Sequence, residues 1–481
     1  MLRRAVVIGA GPNGLAAACV LARAGVPVEV LEASDHVGGG ARTEELTLPG
    51  FRHDVGSSVY PLGIASPVFR SMPLGDFGLR WIEPEIPLAH PLDDGSAVAL
   101  RHDARTMQDE LGAEDGRAWG ELFGPMADTW PELVPDLLGP VIHLPRHPVL
   151  LGHFGVRAVM PAVTLAKILF RGERARALFA GLAAHSVRPL ESPVSGAFGL
   201  VLGVAGHARH TGMGGWPVAA GGGGSITQAL RRYLEEMGGT IRTGVSVRHR
   251  AEVGEADAVV CDLSPRALVD IAGAAMQPGN RRLLERYQYG PGSFKVDWAL
   301  REPIPWQADV CRRAGTVHVG GTMEEIAASE RAPEQGAVDQ APFVLVTQPS
   351  VCDPTRAPEG QHVAWGYCHV PNGWSGDALG RIERQVERFA PGFRDCILAR
   401  RVWTTGALET WNPNLVGGDL SGGAMTPLQM VMRPTPRLYE TSIPGWFLGS
   451  ASTPPGGGVH GMCGFHAAQA ALRSGKRNGR T

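Results

Sequence analysis

The chain opens on four consecutive apolar residues, Ala5 to Ile8, a run too short for a helix and β-branched in character, which predicts a strand buried on both faces. Gly9, Gly11 and Gly14 follow at GxGxxG spacing, after which Leu15, Ala18, Cys19 and Ala22 recur on one helical face. Their small side chains suit a helix packed tightly on a sheet, and Gly25 predicts its C-terminal stop. Val28 to Leu31 then reads as a second buried strand. Much later the same pattern returns. Ile226, Leu230, Tyr233 and Leu234 make a helical stripe ended by Gly238-Gly239, a strand leads towards Val247, and Ala258 to Cys261 predicts another buried strand. Near the end, Trp446 to Leu448 predicts a strand running into Gly449, a proline-glycine turn and a small-residue helix from about His460.

A strand that turns through GxGxxG into a helix is a binding site for an anion. Gly9 permits the turn, Gly11 lets a diphosphate approach the backbone, and Gly14 lets the helix pack close, so that N–H groups at the helix start face the ligand. Glu32 ends the second strand, about 20 residues beyond the glycines, where a carboxylate accepts ribose hydroxyl protons and repels a 2′-phosphate. The ligand expected is an ADP-containing dinucleotide other than NADP. A plain glycine turn in an ordinary α/β unit is the alternative, and strand, helix, second strand and acid together weigh against it. Gly221 to Gly224 lack both the spacing and a strand-terminal acid, so no second dinucleotide site is expected.

Two stretches interrupt this pattern. From 65 to 214, proline-punctuated segments give way to mostly helical ones. From 281 to 414, FKVDWAL, PFVLVTQ and the alternating HVAWGYCHV predict an antiparallel sheet, and DALGRIERQVERFAPGF a solvent-facing amphipathic helix ended at Pro391-Gly392. The fold class expected is α/β, a doubly wound Rossmann-like domain built from 1–64, 215–280 and 415–475. An inserted α+β substrate domain takes 65–214 and 281–414, with a flexible tail over 476–481.

Composition narrows the function. With 481 residues, 44% of them hydrophobic, the chain can bury the core of two domains and is not a small binding module. A net charge of −2 argues against nucleic acid as a partner. The seven cysteines are scattered without a CxxC pair, so neither a zinc site nor a disulfide framework is expected, and a reducing, cytoplasmic setting fits best. Arg3-Arg4 precede an apolar run that the glycine turn interrupts, which argues against a signal peptide. No apolar stretch approaches the ~20 residues of a spanning helix.

The segment 143 to 181 carries Arg146, Arg157, Lys167, Arg171, Arg174 and Arg176 against Glu173 alone, interleaved with Leu, Val, Ile and Phe. Two readings stand open: an interfacial segment with its apolar face in the inner leaflet and its cations on anionic headgroups, or a buried helix pair with a solvated basic edge.

The stretch Glu32-Ala33 to Arg42, with glycines at Gly38, Gly39 and Gly40, resembles the extended FAD fingerprint of the flavin amine oxidase and phytoene desaturase superfamily. That resemblance implies FAD, with Arg42 on its diphosphate and Val247 touching adenine through its backbone. Gly56, Ser57 and Ser58 would lie along the ribityl chain and ring, although Ser58 reads better as part of a polar turn. Gly449 would stand near the diphosphate and Gly458, Val459, His460 and Gly461 at the ring. Amine oxidases usually carry an acid after that glycine, whereas this chain has Ser450, which leans towards the desaturases. His460 stands where a desaturase often has proline, and is read as poising the flavin, meeting substrate, or only capping the helix. Lys295, in YGPGSFKVDWALREPIPW, is similar to the amine oxidase lysine that points at the flavin and holds a water near N5; the alternative is a strand-end lysine reaching solvent. The activity implied is hydride transfer from a lipophilic substrate to flavin N5, foremost carbon–carbon desaturation, with O2 or quinone as electron acceptor. Amine oxidation is the second reading. A non-redox prenyl- or lipid-binding escort protein of the same fold is the third, and the intact Arg42 argues against it.

Overall fold

In the computed structural model, which describes residues 2–478, five parallel strands form one sheet. Their spatial order is Trp446–Leu448, Ala258–Cys261, Ala5–Ile8, Val28–Leu31 and Thr240–Arg242. Alternate side chains serve two cores, as a sheet buried on both faces requires. Ala5, Val7, Val28 and Val30 pack into the core that also holds the helices Pro12–Arg23, Gly224–Glu236 and Met462–Asn478. Val6, Ile8, Val259 and Cys261 pack against Leu268 and Ile271 of the helix Pro265–Ala272.

Four strands fall where the apolar runs put them. The fifth, Thr240–Arg242, stops short of Val247, which lies in the following loop; Gly244 and Val245 there bond back to Ser34 and Glu32. The last helix begins at Met462, because His460 stays outside it and accepts the Met462 N–H through Nδ1. That helix runs through Asn478, so the tail expected from 476 begins as helix, and 479–481 lie outside the described residues.

A second sheet of seven strands joins the two interrupting stretches. Its order is Ile397–Trp403, Gly292–Leu300, His362–Val370, Val344–Thr347, Ala314–Val319, Ile86–Pro91 and Ala97–Leu100, antiparallel except where Ala314–Val319 meets Ile86–Pro91. The alternation in the sequence gives this sheet two unlike faces. Phe294, Val296, Trp298, Val317, Val344 and Val346 pack on Ile382, Val386 and Phe389 of the helix Leu379–Phe389. The opposite face carries Ser293, Lys295, Asp297, Thr316, Thr347, Trp365, Tyr367 and His369. Across from that face stands a helical layer, including Ala113–Asp128, Glu173–Ala183 and Ser195–His207. Helix contact there depends on glycine: a Cβ on Gly203 would lie 2.4 Å from Phe123 and one on Gly199 3.0 Å from Phe179.

Candidate functional site

One cavity of about 1260 Å³ connects the glycine turn of the first sheet with the polar face of the second. At its nucleotide end the turn is built as its spacing requires. Gly9 has φ +100°, and a Cβ on Gly14 would lie 2.0 Å from the Gly9 carbonyl oxygen, so Gly14 serves helix packing and does not line the cavity. The helix Pro12–Arg23 has no side-chain cap. Glu32 accepts the Ala10 N–H at 2.6 Å and the Ser34 N–H at 2.8 Å, one on each carboxylate oxygen, which fixes the carboxylate while leaving lone pairs for hydroxyl donors. Arg42 bonds Ser34 Oγ at 2.7 Å, pairs with Glu44 at 3.1 Å and stacks on Trp411, 4.3 Å from the ring centre. Its guanidinium is thereby held flat at the cavity wall.

Of the residues singled out from sequence, Gly9, Gly11, Glu32, Ala33, Gly39, Gly40, Arg42, Gly56, Ser57, Val247, Ser450, Gly458, Val459 and His460 line this cavity together. Five do not. Besides Gly14, Gly38 is pressed against the Arg42 side chain, Gly449 against Ala467 and Gly461 against Phe69 and Ala16, where a Cβ would lie 2.5 to 2.8 Å from those side chains. Lys295 is the fifth. Its ammonium is buried and lies 2.6 Å from both oxygens of Asp297, 4.7 Å from the ring centre of Trp365. Trp365 lines the cavity and Lys295 stands behind it, so the ammonium expected at the cofactor face is instead neutralised by a carboxylate, and the solvent-reaching alternative fails as well. Burial pulls the lysine below its ordinary value and pushes Asp297 above its own, each opposed by the partner charge.

That pair belongs to a buried network that ties the 43–58 strap to the second sheet. Asp297 also accepts the Trp403 indole N–H at 2.8 Å, Asp54 pairs with Arg356 at 2.9 Å, and Ser58 donates to Asp54 at 2.6 Å while accepting from Trp365 at 2.7 Å. Ser58 thus does lie in the cavity wall, as a link between strap and sheet. His460 is buried, and burial holds its imidazole down to about 4, the backbone of Gly457 and Gly456 pulling the other way. It caps the last helix and lines the cavity at once.

Sequence reasoning missed Asp262. This residue follows the strand Ala258–Cys261, accepts the Gly14 N–H at 2.9 Å and crowds Gly11, where a Cβ would lie 2.7 Å from its Oδ2. Burial pushes its carboxyl up to about 7; the Gly14 N–H lowers it and neighbouring Glu32 raises it further. Its one available signal was an acid directly after a buried strand.

Residues 143–159 supply part of the outer wall, whereas Glu173–Ala183 lies buried in the helical layer. The helices Pro148–Ala158 and Ala162–Leu169 meet at a 100° bend, and no helix among the described residues is long and apolar enough to cross a membrane. Of the twelve exposed large hydrophobic residues described, seven fall between 141 and 168; Leu144 is 94% exposed, Ile142 75% and Val149 73%. Val141 and Val159 are exposed and also line the cavity, so its outer end opens within this apolar patch. Arg146 and Arg157 are exposed beside it without a carboxylate partner among the described residues. Arg174 and Arg176, expected on the basic edge, turn inward to the carbonyls of Ala97, Glu110 and Phe170.

Residues 7–72 match a family model described as an NAD(P)-binding Rossmann-like domain. The chain is similar to pyridine nucleotide-disulfide oxidoreductase domain-containing protein 2 of Mus musculus, 26% identical over 98% of this chain and 93% of that protein. A shorter stretch is similar to carotenoid 3,4-desaturase of Haloarcula japonica, 48% identical over 11% of this chain and 10% of that one. Among solved structures, cyclohexylamine oxidase from Brevibacterium oxydans superimposes with a TM-score of 0.60 at 16% identity, covering 99% of this chain and 100% of that one, which is a likeness of fold.

Proposed function

We propose that the chain is a member of the flavin amine oxidase and phytoene desaturase superfamily of oxidoreductases, holds FAD and oxidises a lipophilic organic substrate, foremost by carbon–carbon desaturation. The observation that carries this reading is the cavity. At about 1260 Å³ it exceeds the ~300–1,000 Å³ of an ordinary small-ligand pocket, leaving room for a substrate beside a dinucleotide. Away from the glycine turn its wall is largely apolar, with Phe154, Phe198, Val201, Leu202 and Leu345 among the lining side chains.

The residues present fit the cofactor. The uncapped helix start at Gly11, the fixed Glu32 carboxylate and the stacked Arg42 guanidinium supply partners for a diphosphate and a ribose, and Val245 to Val247 supply backbone for an adenine. Bound flavin would supply a two-electron acceptor for a hydride. The chain's own contribution is alignment and exclusion of water, which desaturation needs more than a strong acid or base. His460, held neutral by burial, adds no charge to the site at ordinary pH. Amine oxidation remains the second reading, supported by the fold shared with cyclohexylamine oxidase and opposed by Ser450, which puts no acid beside Gly449.

The electron acceptor proposed is O2 or quinone. Because the cavity opens within the exposed apolar patch beside Arg146 and Arg157, the protein is further proposed to work docked on an anionic bilayer, from which it draws its substrate.

The test is a visible spectrum of the purified protein followed by anaerobic reduction with a panel of polyenes, alcohols and amines. A flavin spectrum bleached by the polyenes is expected, and Arg42→Ala should lose bound flavin on gel filtration while keeping its fold. A charge-assisted contact of about 1.5–3 kcal/mol would weaken affinity some 10- to 150-fold. A colourless protein that takes up no FAD overturns the reading; reduction by amines alone favours the second.

A further inference from the structure

The inward face of the strand His362–Val370 presents Trp365, Tyr367 and His369 in succession to the cavity. His369 differs from its neighbours in carrying a buried carboxylate behind it. Glu330, near the end of the helix Met323–Arg331, is 2% exposed, and its Oε2 lies 2.7 Å from His369 Nδ1. A carboxylate in that position takes the Nδ1 proton as a hydrogen bond, and in the tautomer this selects Nε2 is a bare acceptor. Nε2 has no partner among the described residues, and neither has Glu330 Oε1. His369 is 7% exposed, and its ring edge packs against Tyr367 with centroids 5.4 Å apart.

Leaving a buried acceptor unpaired costs about 1–3 kcal/mol, and a buried carboxylate with a single partner costs more. Nothing in the packing of this sheet requires either group. The opposite face holds the apolar core, whereas on the cavity face a valine or phenylalanine would fill the wall without that cost. The groups that could approach from other elements are few. His185 lines the cavity nearby, its Nε2 lies 3.2 Å from His318 Nε2, and burial keeps both imidazoles neutral. The Glu330–His369 pair is thus the one carboxylate-backed acceptor in this part of the wall among the described residues.

We propose that His369, oriented by Glu330, is a polar subsite in the substrate cavity that receives a hydroxyl group, so that the ligand is a hydroxylated lipophile rather than a pure hydrocarbon. This rests on the reading that the cavity takes a lipophilic substrate and names its class further. A hydroxyl suits the site on two counts. It donates to the bare Nε2, and the rest of the molecule can remain in the apolar wall formed by Phe198, Val201 and Leu345. His369 is a recognition residue in this account, with Glu330 a positioning residue that acts through it.

The test measures binding, by calorimetry on the purified full-length protein, of decanol and of its isomer nonyl methyl ether, which matches it in heavy atoms and cannot donate. The parent should prefer the alcohol by about tenfold or more. His369→Phe should remove the preference while leaving the ether affinity unchanged. Glu330→Gln, whose amide can donate to Nδ1 and shift the proton to Nε2, should reduce the preference with the fold intact. It also keeps the test available if the phenylalanine variant does not fold. Equal binding of alcohol and ether by the parent, or a preference that survives both substitutions, overturns the proposal, as does tighter binding of decylamine than of decanol. Flavin content is read on the same samples. A flavin-free protein that prefers the alcohol would keep the subsite and reject the redox reading, whereas a flavin-bearing protein with no preference would reject the subsite alone.

Discussion

Lys295 and Asp297, two positions apart on the same face of one strand, form a buried pair in which the ammonium lies 2.6 Å from each carboxylate oxygen. Such a pair is weak evidence of stability as a whole, because the cost of desolvating two charges offsets their attraction, yet removing one partner leaves a buried charge uncompensated. Lys295→Met is therefore expected to destabilise the protein by about 3–5 kcal/mol. Lys295→Met combined with Asp297→Asn should recover much of that loss, since the asparagine still accepts the Trp403 indole N–H. Unfolding midpoints of parent, single and double variants check this. Reoxidation of reduced flavin by O2 should match the parent in the double variant, because the ammonium stands behind Trp365. A strong slowing there would return Lys295 to the flavin half-reaction.

Asp262 gives the chain a pH dependence of definite sign. Its carboxyl is raised from 3.8 to about 7 in the fold, so the folded chain holds this proton more tightly than the unfolded one. The contribution to stability is whole below the unfolded value, falls as pH rises, and is lost above about 7, a swing of about 4 kcal/mol at most. Asp262→Asn keeps an acceptor for the Gly14 N–H and removes the charge, so its advantage in unfolding midpoint should grow between pH 4 and pH 8. A diphosphate at the same turn would favour the protonated acid further. FAD affinity, followed by quenching of flavin fluorescence, should then fall with pH above 7 in the parent and stay level in the variant. Parallel curves for the two proteins would show that the carboxyl does not face the cofactor.

The first sheet was legible because three of its strands, Ala5–Ile8, Ala258–Cys261 and Trp446–Leu448, are buried on both faces and read as uninterrupted apolar runs, whereas the edge strand Thr240–Arg242 is polar and half exposed. The cavity-lining glycines and Glu32 were legible for a related reason: a sharp turn over an anion leaves little choice of residue. Ile86–Pro91 was less so, since Pro87 and Pro91 read as breaks although the strand lies between two neighbours. Pairings distant in sequence left the weakest trace. Glu330 stands 39 residues from His369, and Asp262 lies 248 from Gly14, so each looked like an ordinary surface acid until the fold buried it. The lysine at 295 was recognisable as a residue that needs a partner. That the partner is Asp297 rather than a cofactor follows from the strand's two-residue period, which puts both on one face.

The exposed patch from 141 to 168 supports the last expectation. Ile142, Leu144, Val149 and Val156 project from the helical wall where the cavity opens, and Arg146 and Arg157 stand among them. Each apolar side chain moved into the acyl boundary contributes about 1 kcal/mol or more, and each cation near an anionic surface about 1 kcal/mol. Four such side chains and two arginines thus amount to some 6 kcal/mol, enough for reversible docking and far from the permanence of a spanning helix. Flotation with vesicles should therefore rise with phosphatidylglycerol content and fall with added salt, since the arginine part is screened while the apolar part is not. Leu144→Ser with Val149→Ser should lower binding on every vesicle composition, whereas Arg146→Glu with Arg157→Glu should abolish only the dependence on anionic lipid. All four side chains are exposed, so neither pair should disturb the melting temperature. Recovery of the parent entirely in the unbound fraction, at low salt and high phosphatidylglycerol, would reject the bilayer as occupant of this surface.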